Sequence, residues 1–215
     1  MRGKEKDIAQ IAEKRKRIME IGFRLFAEKG FDAVTMPQIA EASGVSRGSL
    51  YQYFSSKPEL VVAIATWKWA EYIAGYNAAL PKEDLEQMTG AARLRRFLDA
   101  FLDLYRNHKD ILRYNYIFNI YFNQEAGARE QKRPYVHVVD RLGTQFHKLY
   151  ERGMRDGTLN PAYTEQTMLS SSFHIMLAAV TRYAVGLVVV YENGSDPENE
   201  LVLLEEMILS TFTME

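Results

Sequence analysis

The segment from Val34 to Leu60, VTMPQIAEASGVSRGSLYQYFSSKPEL, constrains the fold of this chain more than any other part of it. Thr35 and Gln38 have the spacing of a capping box, in which two side chains satisfy backbone groups at the start of a helix. Gly44 can take the left-handed conformation that ends this helix, and Ser46 can cap a second one. Two short helices joined by such a tight turn form the helix-turn-helix pattern, whose second helix enters the major groove of DNA.

Part of this segment, IAEASGVSRGSLYQYFSSKPEL, resembles the signature of the TetR family of transcriptional regulators. The resemblance implies an all-α fold, with an N-terminal three-helix DNA-binding domain at residues 1–60 and a larger helical domain at residues 61–215. The larger domain would bind a small effector and dimerise. The implied function is sequence-specific regulation of transcription, by a repressor that a small apolar or aromatic effector releases from its operator.

The implied partners are double-stranded DNA with an inverted repeat, a second copy of the chain in a homodimer, and an unidentified effector. No cofactor is implied. Two-fold symmetry connects the first two partners, because paired recognition helices need paired half-sites about one helical turn, or a multiple of it, apart. The alternative is a non-specific or architectural DNA-binding protein without an effector. Equal affinity for unrelated DNA sequences at physiological salt would favour that alternative.

The resemblance also indicates which residues match the family's DNA contacts. They are Thr35, Ser46, Arg47, Gly48, Ser49, Tyr51, Gln52, Tyr53 and Lys57. Arg47, near the start of the second helix, can pair with guanine through two hydrogen bonds, the commonest base-specific contact. Lys57 suits a phosphate oxygen, which fixes the register of the protein on DNA without reading its sequence. Leu50 and Phe54 are core positions, and Tyr53 is open to either role.

Charge and cysteine content agree with this interpretation. Residues 1–60 carry 11 Lys and Arg against 8 Asp and Glu, whereas residues 61–215 carry 16 against 20. A basic N-terminal part on an acidic remainder suits a protein of which one end meets phosphates. The chain has no cysteine, which excludes disulfides and zinc-thiolate sites and fits a reducing cytoplasm. The charged N-terminus, MRGKEKDIAQIAEKRKR, lacks the apolar stretch of a secretion signal, so we expect a cytoplasmic location.

Hydrophobic spacing and helix-start residues predict further helices on both sides of the motif. We expect a first helix at about 7–29 and a fourth from a Ser56–Glu59 capping box towards Leu80, with a break at Pro81. The remaining predicted helices lie at about 90–107, 110–122, 130–155, 164–192 and 197–213. In the first helix, the basic run at residues 14–17 is either a solvated face or a surface that contacts phosphates.

Residues 175–191, IMLAAVTRYAVGLVVVY, are apolar nearly all round, which is typical of a buried element. The segment is too short for a membrane span, which needs about 20 residues, and Arg182 lies at its centre. The local sequence leaves helix and strand open, whereas the TetR resemblance implies a helix. Leu203 and Met207 widen the apolar stripe of the last helix beyond one core contact. We therefore expect these two helices to form the dimer interface, as a four-helix bundle with the partner's pair.

Aromatic residues are frequent after residue 90 and could line an apolar effector pocket. Ordinary core packing is the alternative for each of them. Polar groups would orient the ligand, and a buried Arg182 would need a carboxylate from the protein or from the ligand. The predicted pocket residues are Phe101, Tyr105, Tyr114, Phe118, Phe122, Phe146, His174 and Arg182.

A group of potential metal ligands falls within one narrow arc of a predicted helix. Its members are His137, Asp140, His147 and Glu151. Charged residues lie beside them and apolar residues occupy the opposite side, so we interpret the arc as a solvated face and expect no metal. The sequence contains no phosphate-binding glycine loop, nucleophile elbow or paired catalytic carboxylate. We therefore expect no enzymatic activity.

Overall fold

The computed structural model describes residues 2–124, 133–188 and 196–214, and these residues form ten helices. The helices are α1 (Arg2–Lys29), α2 (Met36–Ser43), α3 (Arg47–Tyr53), α4 (Lys57–Ala78), α5 (Lys82–Gln87), α6 (Gly90–Asn107), α7 (Lys109–Gln124), α8 (Arg133–Asp156), α9 (Glu165–Ala184) and α10 (Pro197–Phe212). Within these ranges no strand is present beyond an isolated bridge between Leu159 and Thr213, so the predicted all-α class is confirmed. No described helix is long and apolar enough to cross a membrane.

The predicted helices are present, although some of their ends differ. α6 has the predicted bounds, whereas α1 starts at Arg2 rather than near residue 7. A short additional helix, α5, follows Pro81, where we expected only a break. Glu83 and Asp84 lie in the first turn of α5, where negative charge interacts favourably with the helix dipole. The proline that ends one helix therefore also precedes the next.

The helix predicted at 164–192 is wrong in its C-terminal part. α9 ends at Ala184, because Gly186 takes a φ of 75° in the left-handed region and its N–H bonds to the Tyr183 carbonyl at 3.2 Å. Residues 189–192 of the prediction lie outside the described residues. The helix therefore ends at the turn around Gly186, although the apolar sequence continues beyond this residue.

The chain divides into two compact units. Unit 1 contains residues 1–70 and 114–137, and unit 2 contains residues 71–113 and 138–215. α4 is one continuous helix that contributes residues to both units. The division at residue 60 that we predicted concerns DNA-binding and effector roles, and it stays a prediction.

Aromatic rings before and within α7 form much of the core of unit 1. Phe31 packs edge-on against Phe26 and Tyr114, with ring centroids 5.0 and 5.2 Å apart. Tyr114 is buried, and its hydroxyl donates to the carbonyl of Val61 on α4 at 3.0 Å. A buried tyrosine is stable when its hydroxyl has such a partner, so this ring joins α7 to α4 through both packing and a hydrogen bond.

In unit 2 the start of α6 lies against the end of α8 with almost no space between the two backbones. A Cβ added at Gly90 would lie 2.0 Å from Cα of Gly153. The N–H of Gly90 donates to Oδ2 of Asp156 at 2.9 Å, and the N–H of Ala91 donates to Oγ1 of Thr158 at 3.0 Å. Asp156 at the end of α8 and Thr158 just after it therefore satisfy two of the unpaired N–H groups at the start of α6.

Candidate nucleic-acid interface

Local hydrogen bonds fix the turn between α2 and α3. Thr35 accepts from the N–H of Gln38, and the Gln38 side chain accepts from the N–H of Thr35 at 2.8 Å, so the predicted capping box is confirmed. Gly44 takes a left-handed φ of 69°, and the N–H of Val45 bonds to the carbonyl of Ala40 at 3.0 Å. These bonds set the direction in which α3 leaves the turn.

One face of α3 is buried and the other is exposed. Leu50 and the C-cap residue Phe54 are fully buried, and Ser46 caps the helix by accepting from the N–H of Ser49 at 3.1 Å. Four predicted DNA contacts are exposed on the opposite side, because residues four apart in a helix share a face. They are Arg47, Gly48, Tyr51 and Gln52.

Arg47 and Gly48 have no evident internal role. The Arg47 side chain makes no hydrogen bond or ion pair with any residue that the structure describes. A Cβ added at Gly48 would meet nothing within 4 Å, so neither packing nor backbone conformation requires a glycine there. The Arg47 guanidinium is therefore available for contacts outside the chain, and the empty space at Gly48 lets another molecule approach this face of α3 closely.

The other predicted contacts border this exposed face. Ser49, Tyr53 and Lys57 are half-buried, and Thr35 is exposed. Burial lowers the pKa of Lys57, although the Asp32 carboxylate acts in the opposite direction. Lys57 is the first residue of α4, so its charge lies close in the chain to the end of α3.

The second predicted capping box is only half right. The N–H of Glu59 does donate to Oγ of Ser56 at 3.3 Å. The Glu59 carboxylate, however, accepts from the N–H and the hydroxyl of Ser55, at 2.8 and 2.6 Å, rather than from Ser56. Both serines are consequently used to connect α3 with α4, and the sequence alone did not distinguish them.

Sequence reasoning missed a contact between α1 and the end of α3. The guanidinium of Arg15 lies 4.7 Å from the centre of the Phe54 ring, a cation–π distance. Lys16 pairs with Glu20 across 3.7 Å on the exposed surface of α1. The run at residues 14–17 is exposed, so phosphate contact stays open for it, but Arg15 also has an internal role.

The predicted effector residues do not form one cluster within either unit. Tyr114, Phe118 and Phe122 are buried in unit 1. Phe101 and Phe146 are buried in unit 2, where both pack edge-on against Phe97, and Tyr105 is half-buried in the same unit. Two cavities in the described part of the chain, of about 390 and 560 Å³, are lined by residues outside the predicted set.

The expectation that His174 and Arg182 are buried is wrong. Both side chains are exposed, and Nη2 of Arg182 donates to the carbonyl of Leu187 at 3.1 Å. α9 buries one side, which includes Met176 and Val180, and leaves Ile175 44% exposed. In a single chain one side of α9 is therefore buried and the other is exposed, although residues 175–184 of the helix belong to the segment that is apolar nearly all round.

The arc around His147 behaves as the solvated face that we expected. No group of three potential metal ligands is found among the described residues. His147 is exposed and contacts Glu165 at 2.9 Å and Glu151 at 3.6 Å. The hydrogen bond to Glu165 raises the pKa of His147, with a smaller contribution from the charge of Glu151.

A comparison with protein families connects this surface to known regulators. Residues 18–64 match the family described as "Bacterial regulatory proteins, tetR family". This segment is of the TetR family type. The matching residues contain α2, α3 and the turn between them, together with Lys57, so the TetR family match covers every predicted DNA contact.

Similar proteins extend the comparison beyond this part of the chain. The HTH-type transcriptional regulator YerO of Bacillus subtilis is 34% identical over 103 residues, which make up 46% of this chain and 34% of YerO. The HTH-type transcriptional repressor KstR2 of Mycolicibacterium smegmatis is 24% identical over 161 residues, 71% of each protein. The structure of FadR from Bacillus subtilis in complex with stearoyl-CoA has a TM-score of 0.69 at 16% identity, covering 91% of this chain and 97% of FadR.

The structural likeness to FadR shows the fold, an N-terminal helix-turn-helix domain followed by a helical domain. The similar proteins are transcriptional regulators, which confirms the expectation that this chain is not an enzyme.

Proposed function

We propose that this chain is a sequence-specific repressor that binds an inverted-repeat operator as a homodimer and is released by a small effector. The observation that carries the proposal is the exposed side of α3. It presents the uncommitted Arg47 beside the open position at Gly48, on a helix that Leu50 and Phe54 anchor from behind. This is the arrangement that a recognition helix needs in the major groove.

The residues of this surface divide into two roles under the proposal. Arg47 reads a base, because its guanidinium can donate two parallel hydrogen bonds to guanine. Tyr51, Tyr53 and Lys57 hold phosphates and fix the register of the protein, together with Thr35 at the start of α2. Ser46 keeps its capping role at the start of α3, and Ser49 and Gln52 add polar contacts with the DNA.

Exposed apolar side chains on α9 and α10 support a homodimer. Leu203 is 61% exposed, Met207 is 58% exposed and Ile175 is 44% exposed, whereas Leu201 and Ile208 of α10 face the core. Apolar residues of this size on the surface of adjacent helices indicate a protein-binding surface. Pairing with the same helices of a second copy would bury these side chains in a four-helix bundle.

The proposed effector acts through unit 2. α4 is hydrogen-bonded to α6 there, since the hydroxyl of Tyr72 donates to the carbonyl of Ala100 and the hydroxyl of Tyr76 donates to that of Arg96. A ligand that displaces α6 would therefore displace α4, whose first residue is Lys57. FadR in complex with stearoyl-CoA has this fold and a bound small molecule with a long apolar part, which supports an apolar effector here.

Operator selection tests the DNA-binding part of the proposal. Purified protein is incubated with fragments of the source genome, and bound fragments are sequenced and then titrated at fixed salt. We expect an inverted repeat whose half-sites are about one helical turn, or a multiple of it, apart, bound by two chains. Tight binding of one chain to a single asymmetric half-site would contradict the dimer. Equal affinity for the selected and for random fragments would instead favour the architectural alternative.

Thermodynamic linkage between effector binding and operator binding tests the effector part of the proposal. A small molecule that binds the protein stoichiometrically is identified first, and the operator is then titrated with and without it. Coupling of about 1–3 kcal/mol would weaken operator binding about 5- to 150-fold, and the operator must weaken binding of the effector by the same factor. If ligands that displace α6 leave operator affinity unchanged, release by an effector through that helix is excluded.

A further inference from the structure

A cavity of about 390 Å³ in unit 2 has no role in the proposed DNA binding or in the predicted effector site. It lies where the loop after α4, the first turns of α6 and the end of α10 meet. Leu80, Met88 and Leu209 form apolar parts of its wall, and Asp99 provides a carboxylate. This volume is within the range of small-molecule pockets, and apolar walls with a few polar groups are their usual lining.

The two arginines of the cavity wall already have partners. Arg95 donates two hydrogen bonds to the carboxylate of Glu206, at 2.6 and 3.2 Å. Arg96 donates to the carbonyl of Tyr76 at 2.6 Å, and its guanidinium lies 4.5 Å from the centre of the Tyr76 ring. An anionic ligand would have to compete with these contacts.

Asp99, by contrast, has no direct partner in the described part of the chain. It is half-buried, and it makes neither a hydrogen bond nor an ion pair within 4 Å. Burial raises the pKa of Asp99, and the guanidinium groups of Arg95, Arg106 and Arg96 counteract this from a longer distance. The cavity therefore contains a carboxylate whose hydrogen-bond acceptors are available to a ligand.

A second carboxylate close by is also short of donors. Glu205 on α10 is 2% exposed, and its Oε1 is buried without a hydrogen-bond partner. The nearest cation among the described residues is Arg95, at 4.0 Å. Burial, with a further contribution from the charge of Asp99, raises the pKa of Glu205 to about 7. A buried acceptor without a donor is rare in proteins and indicates a missing positive or hydrogen-bond-donating group.

We infer that this cavity binds a small organic cation, a primary amine with an apolar body, whose ammonium group donates to Asp99. The apolar body would lie against Leu80, Met88 and Leu209. An ammonium group carries up to three donors and a positive charge, which matches the Asp99 carboxylate in the cavity wall, and the positive charge would also act favourably on the nearby Glu205. A metal ion is not favoured, because the described residues contain no group of three potential metal ligands.

Calorimetric titration of the full chain with 2-phenylethylamine tests this inference. Three compounds of similar size serve as matched ligands: 2-phenylethanol without charge, 3-phenylpropanoate with negative charge, and a trimethylated amine without N–H donors. We expect one amine per chain and at least tenfold weaker binding of the alcohol and the carboxylate. Weaker binding of the trimethylated amine would show that the N–H donors contribute.

Variants locate the binding site. Asp99→Asn should weaken amine binding at least tenfold, whereas Asp84→Asn on the exposed helix α5 is the matched control and should leave it unchanged. Ala92→Leu, which places a larger side chain in the cavity wall, should also weaken binding if the amine lies there. Circular dichroism and thermal unfolding check that each variant is folded. Equal binding of amine and alcohol, unchanged binding to Asp99→Asn, or no detectable heat at millimolar amine would overturn the inference.

Discussion

The exposed face of α3 and the contact between α6 and α8 contain the same residue type for opposite reasons. Gly48 on α3 has nothing within 4 Å of the position where a side chain would begin. At Gly90 on α6, the same atom would lie 2.0 Å from Cα of Gly153. The first glycine leaves space open towards the outside of the chain, and the second allows two backbones to touch inside it.

The arginines of the two regions differ in a similar way, one without a partner among the described residues and the other paired within the chain. Arg47 on α3 has no hydrogen bond or ion pair in the described ranges, whereas Arg95 on α6 pairs with Glu206 through two hydrogen bonds. Changes on the exposed face should therefore alter binding and leave folding intact. Changes at the contact between α6 and α8 should alter folding, because Gly90 and its backbone N–H are fitted closely to Gly153 and Asp156 of the same chain.

Gly90→Ala should have the largest effect on stability. The new Cβ would overlap with the backbone of Gly153, which cannot move unless α6 and α8 separate. We expect a loss of about 3 kcal/mol or more in the free energy of unfolding, measured by urea denaturation. Gly75→Ala in α4 is the matched control, since nothing lies within 4 Å of its Cβ. A Gly90→Ala variant as stable as the control would show that this contact is not tight.

Glu205→Gln should change how stability depends on pH. Because burial raises the pKa of Glu205 to about 7, the folded chain binds this proton more tightly than the unfolded chain does. The stabilisation that protonated Glu205 contributes to the fold is fully present below the pKa that this group has in the unfolded chain. It is lost as the pH rises towards 7 and above. At pH 8 the variant should be more stable than the natural chain by up to about 3 kcal/mol, and near pH 4 the two should agree.

Glu206→Gln is the opposite control for that experiment. The hydrogen bond with Arg95 lowers the pKa of Glu206, so this carboxylate stabilises the fold at neutral pH and loses its contribution as the pH falls. The variant should therefore be less stable than the natural chain at pH 8. If both glutamine variants shifted stability in the same direction, the assigned environment of Glu205 would be wrong.

Arg47→Ala should weaken binding to the selected operator by about 1–3 kcal/mol and relax the preference at one base pair. Thermal unfolding should not change, because Arg47 makes no hydrogen bond or ion pair within the described part of the chain. The measurement is a titration of the operator and of a set of single-base variants. Equal weakening for operator and random DNA would show that Arg47 holds a phosphate rather than a base.

Lys57→Ala should have a smaller and less selective effect. Loss of one phosphate contact should weaken all DNA sequences alike and reduce the slope of log affinity against log salt by about one unit. Titrations at four salt concentrations measure the slope directly. An unchanged slope would remove Lys57 from the DNA-binding surface and leave it with a structural role at the start of α4.

Gly48→Ala should give the smallest change in stability, and in the direction opposite to Gly90→Ala. Alanine in a helix is more favourable than glycine by about 0.5–1 kcal/mol, and the position has space for the methyl group. Urea denaturation should show this gain, while operator binding weakens if DNA approaches the backbone closely. A loss of stability would mean that α3 packs more tightly at this position than the contacts show.

The sequence by itself determined the helix-turn-helix and most helix positions. The capping box of Thr35 and Gln38, the left-handed Gly44 and the bounds of α6 were all predictable from residues a few positions apart. Helix caps and turns depend on side chains that contact the backbone within three or four residues, so their chemistry can be read from a short stretch of chain. The same stretch carried the resemblance to the TetR family.

Only the tertiary structure decided which residues, far apart in the sequence, lie close together in the folded chain. It assigned Tyr114 and Phe118 to unit 1 and Phe101 to unit 2, and it exposed Arg182, which the apolar pattern around it had placed inside. It also buried Glu205 near Asp99, more than a hundred positions away in the chain. Hydrophobic periodicity shows that a helix has an apolar side, but it does not show which helix covers that side. The partners of a buried charge depend on that packing, and so does the position of a cavity.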